Sequence, residues 1–96
     1  MGRALAVAIG VASIATVAVA SAEPPAGAAA CSGCHPASTR VTSPVPRLAG
    51  LDRATIVRAM QDFRSGQRAS TVMDRIAKGF TDAEIQAIAT WYATQR

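Results

Sequence analysis

Histidine occurs once in this 96-residue chain, cysteine twice, and aromatic side chains make up only 4% of it. Each scarcity closes off a chemistry. Two thiols and one imidazole leave a structural zinc site one ligand short of four. A single disulfide between Cys31 and Cys34 would close a loop too small to constrain the unfolded chain much. The basic residues Arg40, Arg47, Arg53, Arg58, Arg64, Arg68, Arg75 and Lys78 are spread out and not interleaved with aromatics, so no nucleic-acid groove is indicated. No stretch alternates apolar and polar residues with period two, which removes the strands that a thioredoxin-like redox pair would need. Neither a Ser/His/Asp set nor a catalytic carboxylate pair can be assembled, and the chain reads as a non-enzyme.

The one long apolar run lies at the start. Met1-Gly2-Arg3 is followed by "ALAVAIGVASIATVAVASA", with no charge until Glu23 and an Ala20-Ser21-Ala22 site of the A-x-A type. That order of basic, apolar and small-residue regions is a secretory signal peptide over residues 1–22, cleaved after Ala22. As an uncleaved anchor the run is poor, because Ser13 and Thr16 interrupt it and it falls short of the roughly 20 strongly apolar residues of a spanning helix. The expected location is the periplasm, with no membrane attachment after cleavage. Removing 22 of 96 residues leaves 74, and removing Arg3 takes the formal net charge from +4 to +3. A domain of 74 residues is too small for a generous core and needs a supplement.

Within residues 23–96 the signals are helical. Pro24 and Pro25 followed by "AGAAA" suit a short helix that carries the cysteines, and Pro36 ends it at or just after His35. Residues 37–50 hold prolines and small polar residues without a period, as an ordered loop does. Asp52 is a candidate N-cap for a helix with Ile56, Met60 and Phe63 on one stripe and Val57 beside it, stopped by Gly66. A short helix is expected from Ser70 or Thr71 to Gly79. Thr81-Asp82-Ala83-Glu84 is a capping box, with Phe80 and Ile85 as its hydrophobic staple, opening a final helix from Asp82. The fold class is all-α.

Both cysteines and the histidine fall in one pentapeptide, "CSGCH", residues 31–35. C-x-x-C-H is the attachment signature of c-type haem. Two cysteines three apart on one turn reach the two vinyl groups of a porphyrin, and the next residue offers its imidazole to the iron. The signal segment points the same way, since this cofactor is attached after export. One covalently bound haem c also supplies the missing core, with three to four short helices packed around it and a haem-free chain that is largely unfolded.

The sixth iron ligand decides between electron transfer and ligand chemistry. After processing, the thioethers are Met60 and Met73. Met60 lies on an apolar stripe, where methionine is ordinary core filler. Met73, 38 residues after His35, fits a strap across the distal face. Lys78, or an open position, completes the alternatives.

With these residues in place, "CSGCH", "PRLAGL", "FRSGQRASTVM" and "TDAEIQAIATWY" together resemble a small class I c-type cytochrome across essentially the whole of residues 23–96. The resemblance implies Cys31 and Cys34 as thioether anchors, His35 as proximal and Met73 as distal ligand. It implies that the carbonyl of Pro46, rather than Pro44, accepts the Nδ1–H of the proximal imidazole. It also implies that Trp91 of the C-terminal helix packs on the N-terminal helix, near Gly27 and the alanines. The phrase "FRSGQRASTVMDRIAKGFTDAEI" is similar to the mono-haem cytochrome subunit of flavocytochrome c sulfide dehydrogenases. That similarity implies an FAD-containing, sulfide-oxidising flavoprotein partner in a heterodimer, and a downstream electron acceptor. Pro36 departs from the pattern, in which Gly is common after the haem histidine. A free soluble carrier is the alternative, and a haem-based sensor with an open sixth site is a third.

Overall fold

A computed structural model describes residues 1–2, 5–16 and 23–95. Arg3 and the Ala20-Ser21-Ala22 cleavage site lie outside the described residues. Residues 5–16 form no regular structure, and Leu5, Val7, Ile9, Val11 and Ile14 stand 80 to 90% exposed, so they contribute nothing to the core. No helix among the described residues is long and apolar enough to cross a membrane.

Four helices follow in order: α1 Ala28–Cys31, α2 Arg53–Ser65, α3 Met73–Ala77 and α4 Asp82–Thr94, with no strand among the described residues. The fold is all-α, as the sequence predicts. α1 is shorter than expected. Its regular part ends at Cys31, where the Ser32 hydroxyl donates to Ala29 O (2.6 Å) and Gly33 brings low helix propensity. The chain still turns on to the histidine, because His35 N–H donates to Cys31 O at 2.9 Å.

α2 has the expected limits. Asp52 acts through its backbone carbonyl, which accepts from Ile56 N–H, and its side chain makes no cap bond. Gly66 ends the helix at φ +81°, and its N–H donates to Phe63 O. α3 starts later than expected, at Met73. Ser70 caps it from outside: its hydroxyl accepts from Asp74 N–H (2.9 Å) and donates to the Asp74 carboxylate (3.2 Å).

α4 opens as the capping box predicts. Thr81 Oγ1 accepts from Glu84 N–H at 3.2 Å, while its hydroxyl donates to Glu84 Oε1 at 3.0 Å, in place of a bond from the glutamate back to the Thr81 amide. Replacing Thr81 with Ala removes the acceptor for that amide. The expected loss is about 1 kcal/mol, read as a lowered midpoint in urea unfolding of the cofactor-loaded protein.

α4 is the centre of the domain. α1 and α2 pack on it, α3 packs on α2, and α1 and α3 do not touch. The core cluster is Ala28, Ile56, Val57, Ile85, Ile88, Ala89 and Tyr92, with Met60, Leu48, Phe80 and Trp91 packed against it. It is thin, since only Ile85 among the larger side chains is almost wholly buried. The α1–α4 crossing depends on Gly27, at φ +87°, whose missing Cβ leaves room for the Phe80 ring and Ile88. Trp91 packs against the core cluster that includes Ala28, as expected, but it is not among the atoms nearest Gly27. Phe80 and Ile88 meet Gly27, Tyr92 is the buried aromatic with its hydroxyl donating to Ala28 O at 2.5 Å, and Trp91 is half-buried with its ring edge-on to Tyr92.

Candidate functional site

The turn after α1 places the histidine against the loop that follows. His35 Nδ1 lies 2.5 Å from Pro46 O. A carbonyl only accepts, so the proton resides on Nδ1 and the lone pair of Nε2 is left to bind a metal. Pro46 is the residue whose carbonyl makes this contact, as the sequence comparison implied; Pro44 makes none. One residue further, Arg47 Nε–H donates to Ala37 O at 2.9 Å, a contact that nothing in the sequence pattern announced.

Cys31 and Cys34 are unpaired thiols on the same turn. Cys31 is half-buried and its Sγ–H donates weakly to Gly27 O at 3.6 Å, whereas Cys34 is exposed. Burial pushes the Cys31 thiol above its ordinary range, partly offset by the backbone bond and by the Tyr92 hydroxyl. Tyr92 is raised as well, by burial first and then by Cys31 beside it. The Cys31 thiol is therefore held neutral, in an apolar setting next to the α4 aromatic pair.

Among the described residues no three His, Cys, Asp or Glu side chains converge on a point where a bare metal ion could sit. The two thiols and the imidazole of the pentapeptide therefore do not form such a point. The site fits a porphyrin instead: one metal-directed imidazole nitrogen, two free thiols alongside, and apolar side chains left uncovered. Val41 is 56% exposed, Val72 53%, Ile76 41% and Leu51 37%, in a domain whose core is thin. α1, which leads into the histidine turn, makes no contact with α3, which carries Met73. Met73 is half-buried at the start of α3 and does not pack against the core cluster, whereas Met60 does. Lys78 is exposed just beyond α3.

No family model matches the chain. Curated relatives do match it. It is 31% identical over 72 residues to cytochrome c4 of Pseudomonas aeruginosa, an alignment that covers 74% of this chain and 36% of that protein. The chain belongs to the class I c-type cytochromes, electron-transfer proteins that carry covalently attached haem c. Within that class it is similar to the cytochrome subunit of sulfide dehydrogenase from Chlorobaculum tepidum, with 42% identity over 62 residues, 65% of this chain and 56% of that protein. It is also similar to the thiosulfate dehydrogenase electron acceptor of Stutzerimonas stutzeri, with 39% identity over 64 residues, 65% of this chain and 30% of that protein. The chain thus spans about half the length of the first of these two relatives and about a third of the second.

Proposed function

We infer that this chain is a mono-haem electron-transfer cytochrome of the periplasm. In this reading residues 1–22 are a signal peptide removed after Ala22, and residues 23–96 form the haem domain. Cys31 and Cys34 bind the cofactor through thioethers, His35 Nε2 is the proximal ligand and Met73 the distal one. The observation that carries the reading is the His35 to Pro46 hydrogen bond, which turns the lone pair of the only histidine away from the loop.

Haem c, when bound, supplies a one-electron Fe(III)/Fe(II) couple. The chain's own residues set its terms. The Pro46 carbonyl holds the Nδ1 proton, orients the ring and raises the basicity of Nε2. A methionine in the sixth position raises the potential relative to a second imidazole, and it closes the site to O₂ and substrates. Val41, Leu51, Val72 and Ile76 offer apolar surface that a porphyrin would cover, which excludes water. With His35 and Met73 both holding the iron, the haem would supply outer-sphere electron transfer, with no position left open for a substrate. This is the arrangement of a relay and not of an enzyme.

Met60 belongs to the core in this account. Met60→Leu is expected to cost less than about 1.5 kcal/mol of stability, as near-isosteric swaps do. The far-red sulfur-to-iron absorption band should survive unchanged, and its loss would move the axial assignment to Met60.

The electron donor in this reading is an FAD-containing, sulfide-oxidising flavoprotein subunit, and a further protein accepts the electron. Support comes from the similarity to the Chlorobaculum sulfide dehydrogenase subunit. A free carrier is the second reading, favoured by the similarity to the Stutzerimonas electron acceptor. A pull-down of the tagged protein from its native periplasm, with flavin and haem spectra on the eluate, separates them. Flavin at a fixed ratio to haem is the result expected of the subunit. Haem alone at low salt would establish the free carrier instead.

A further inference from the structure

Two hydrogen bonds tie the histidine turn to the loop after it, and they run in opposite directions. His35 Nδ1–H donates across the gap to Pro46 O, and Arg47 Nε–H donates back to Ala37 O. The first orients the imidazole. The second has no assigned purpose, yet it takes up the guanidinium of a half-buried arginine. The one ion pair among the described residues is between Arg64 and Asp82, so Arg47 is not placed by a carboxylate.

The Pro46 carbonyl belongs to the peptide plane that joins Pro46 to Arg47. The tilt of that plane is set by ψ of Pro46 and φ of Arg47, since the ring has already fixed φ of Pro46. Proline also has no N–H with which to anchor itself. Before it, residues 38–45 contain no helix or strand and close only on themselves, with Arg40 N–H on Ser38 Oγ and Val45 N–H on Ser43 Oγ. After it, the chain is held by Leu51 N–H on Leu48 O and Gly50 N–H on Tyr92 O. The Arg47 side chain is the contact that returns from this plane to the histidine segment.

We propose that Arg47 is a positioning residue. Its Nε–H bond to Ala37 O holds the Pro46 carbonyl on the His35 Nδ1–H, and through it fixes the orientation and basicity of the imidazole. The inference rests on His35 being the iron ligand. Losing the bond lets the Pro46 plane rotate, weakens the bond to Nδ1, makes Nε2 a poorer donor and favours the reduced iron.

The test compares haem-loaded wild type, Arg47→Met and Arg40→Met. Arg40 is an exposed cation on the same loop with no side-chain partner there, and it reports the effect of lost charge alone. NMR of the reduced protein reads the exchange rate of the His35 Nδ1–H, with the Ile88 backbone amide as a core reference, and a redox titration reads the potential. In Arg47→Met the Nδ1–H is expected to exchange about three- to tenfold faster, the effect of losing one ordinary hydrogen bond. The Ile88 amide should not follow. Losing a positive charge lowers the potential and losing the bond raises it, so Arg47→Met should lie above Arg40→Met. Unchanged Nδ1–H exchange, or Nδ1–H and Ile88 accelerated alike, would overturn the proposal. A wild-type Nδ1–H that lacks the shift bound haem imposes would overturn the ligand reading itself, and the inference with it.

Discussion

Met73→Ala is expected to give a protein that still carries haem on Cys31 and Cys34 but has lost its far-red sulfur-to-iron band. Its reduced form should bind CO readily where the wild type does not. Truncation removes the thioether, and neither other candidate is placed to replace it: Met60 is packed against the core and Lys78 is exposed beyond α3. The potential should fall, because a thioether sulfur favours the reduced iron, and axial ligands span about 0.8 V across haem proteins. Absorption spectra with and without CO, and a redox titration, read all three effects. A band that persists in the variant would show that another residue supplies the sulfur. CO binding already present in the wild type would favour the sensor reading with its open site.

The second large effect is expected at Gly27. A Cβ there would stand 2.5 Å from Phe80 Cε1, 3.2 Å from Phe80 Cζ and 3.4 Å from Ile88 Cδ1, and the backbone is at φ +87°. The left-handed conformation costs a side-chain-bearing residue about 1–2 kcal/mol. Overpacking adds about 1–3 kcal/mol. Gly27→Ala should therefore lose about 2–5 kcal/mol, a large share of the roughly 5–15 kcal/mol that stabilises a small domain. Gly66 separates the two contributions, because it has φ +81° with open space around it. Denaturant unfolding of both variants should show Gly27→Ala as the more damaging by the overpacking share. Equal losses would mean that the Phe80 ring swings aside at no cost.

The parts of this fold that could be read in advance are those where one residue type has one physical use. Thr81 three residues before Glu84, ahead of an apolar run, marks a helix start because few other arrangements satisfy the first amides, and α4 begins there. Gly66 reads as a stop because the left-handed turn it makes is costly for other residues. The limits of α1 and α3 were harder to place. There the outcome turns on competition between weak local bonds, from the Ser32 hydroxyl in one case and the Ser70 hydroxyl in the other.

The pentapeptide at Cys31 declared its chemistry at once, because thiol and imidazole are scarce and costly to spend. What surrounds it was legible only in part. Pro46 came from resemblance to a family, not from spacing, since a loop without a period does not reveal which of its carbonyls will face a ring. Arg47 was invisible as anything but a surface charge, and its Nε bond depends on the path of residues 37–47. Trp91 and Tyr92 are neighbours on α4, and helical periodicity alone does not settle which one is buried against α1. The hydroxyl bond to Ala28 goes with the deeper burial of Tyr92, while Trp91 stays half-buried beside it.

The central claim is one haem held covalently at Cys31 and Cys34. The intact mass of the protein purified from its native host and washed with acidified acetone tests it most directly, because that wash strips haem that is not covalently bound. The account predicts the mass of residues 23–96 plus one haem. The mass of the polypeptide alone, with the porphyrin in the wash, would contradict it.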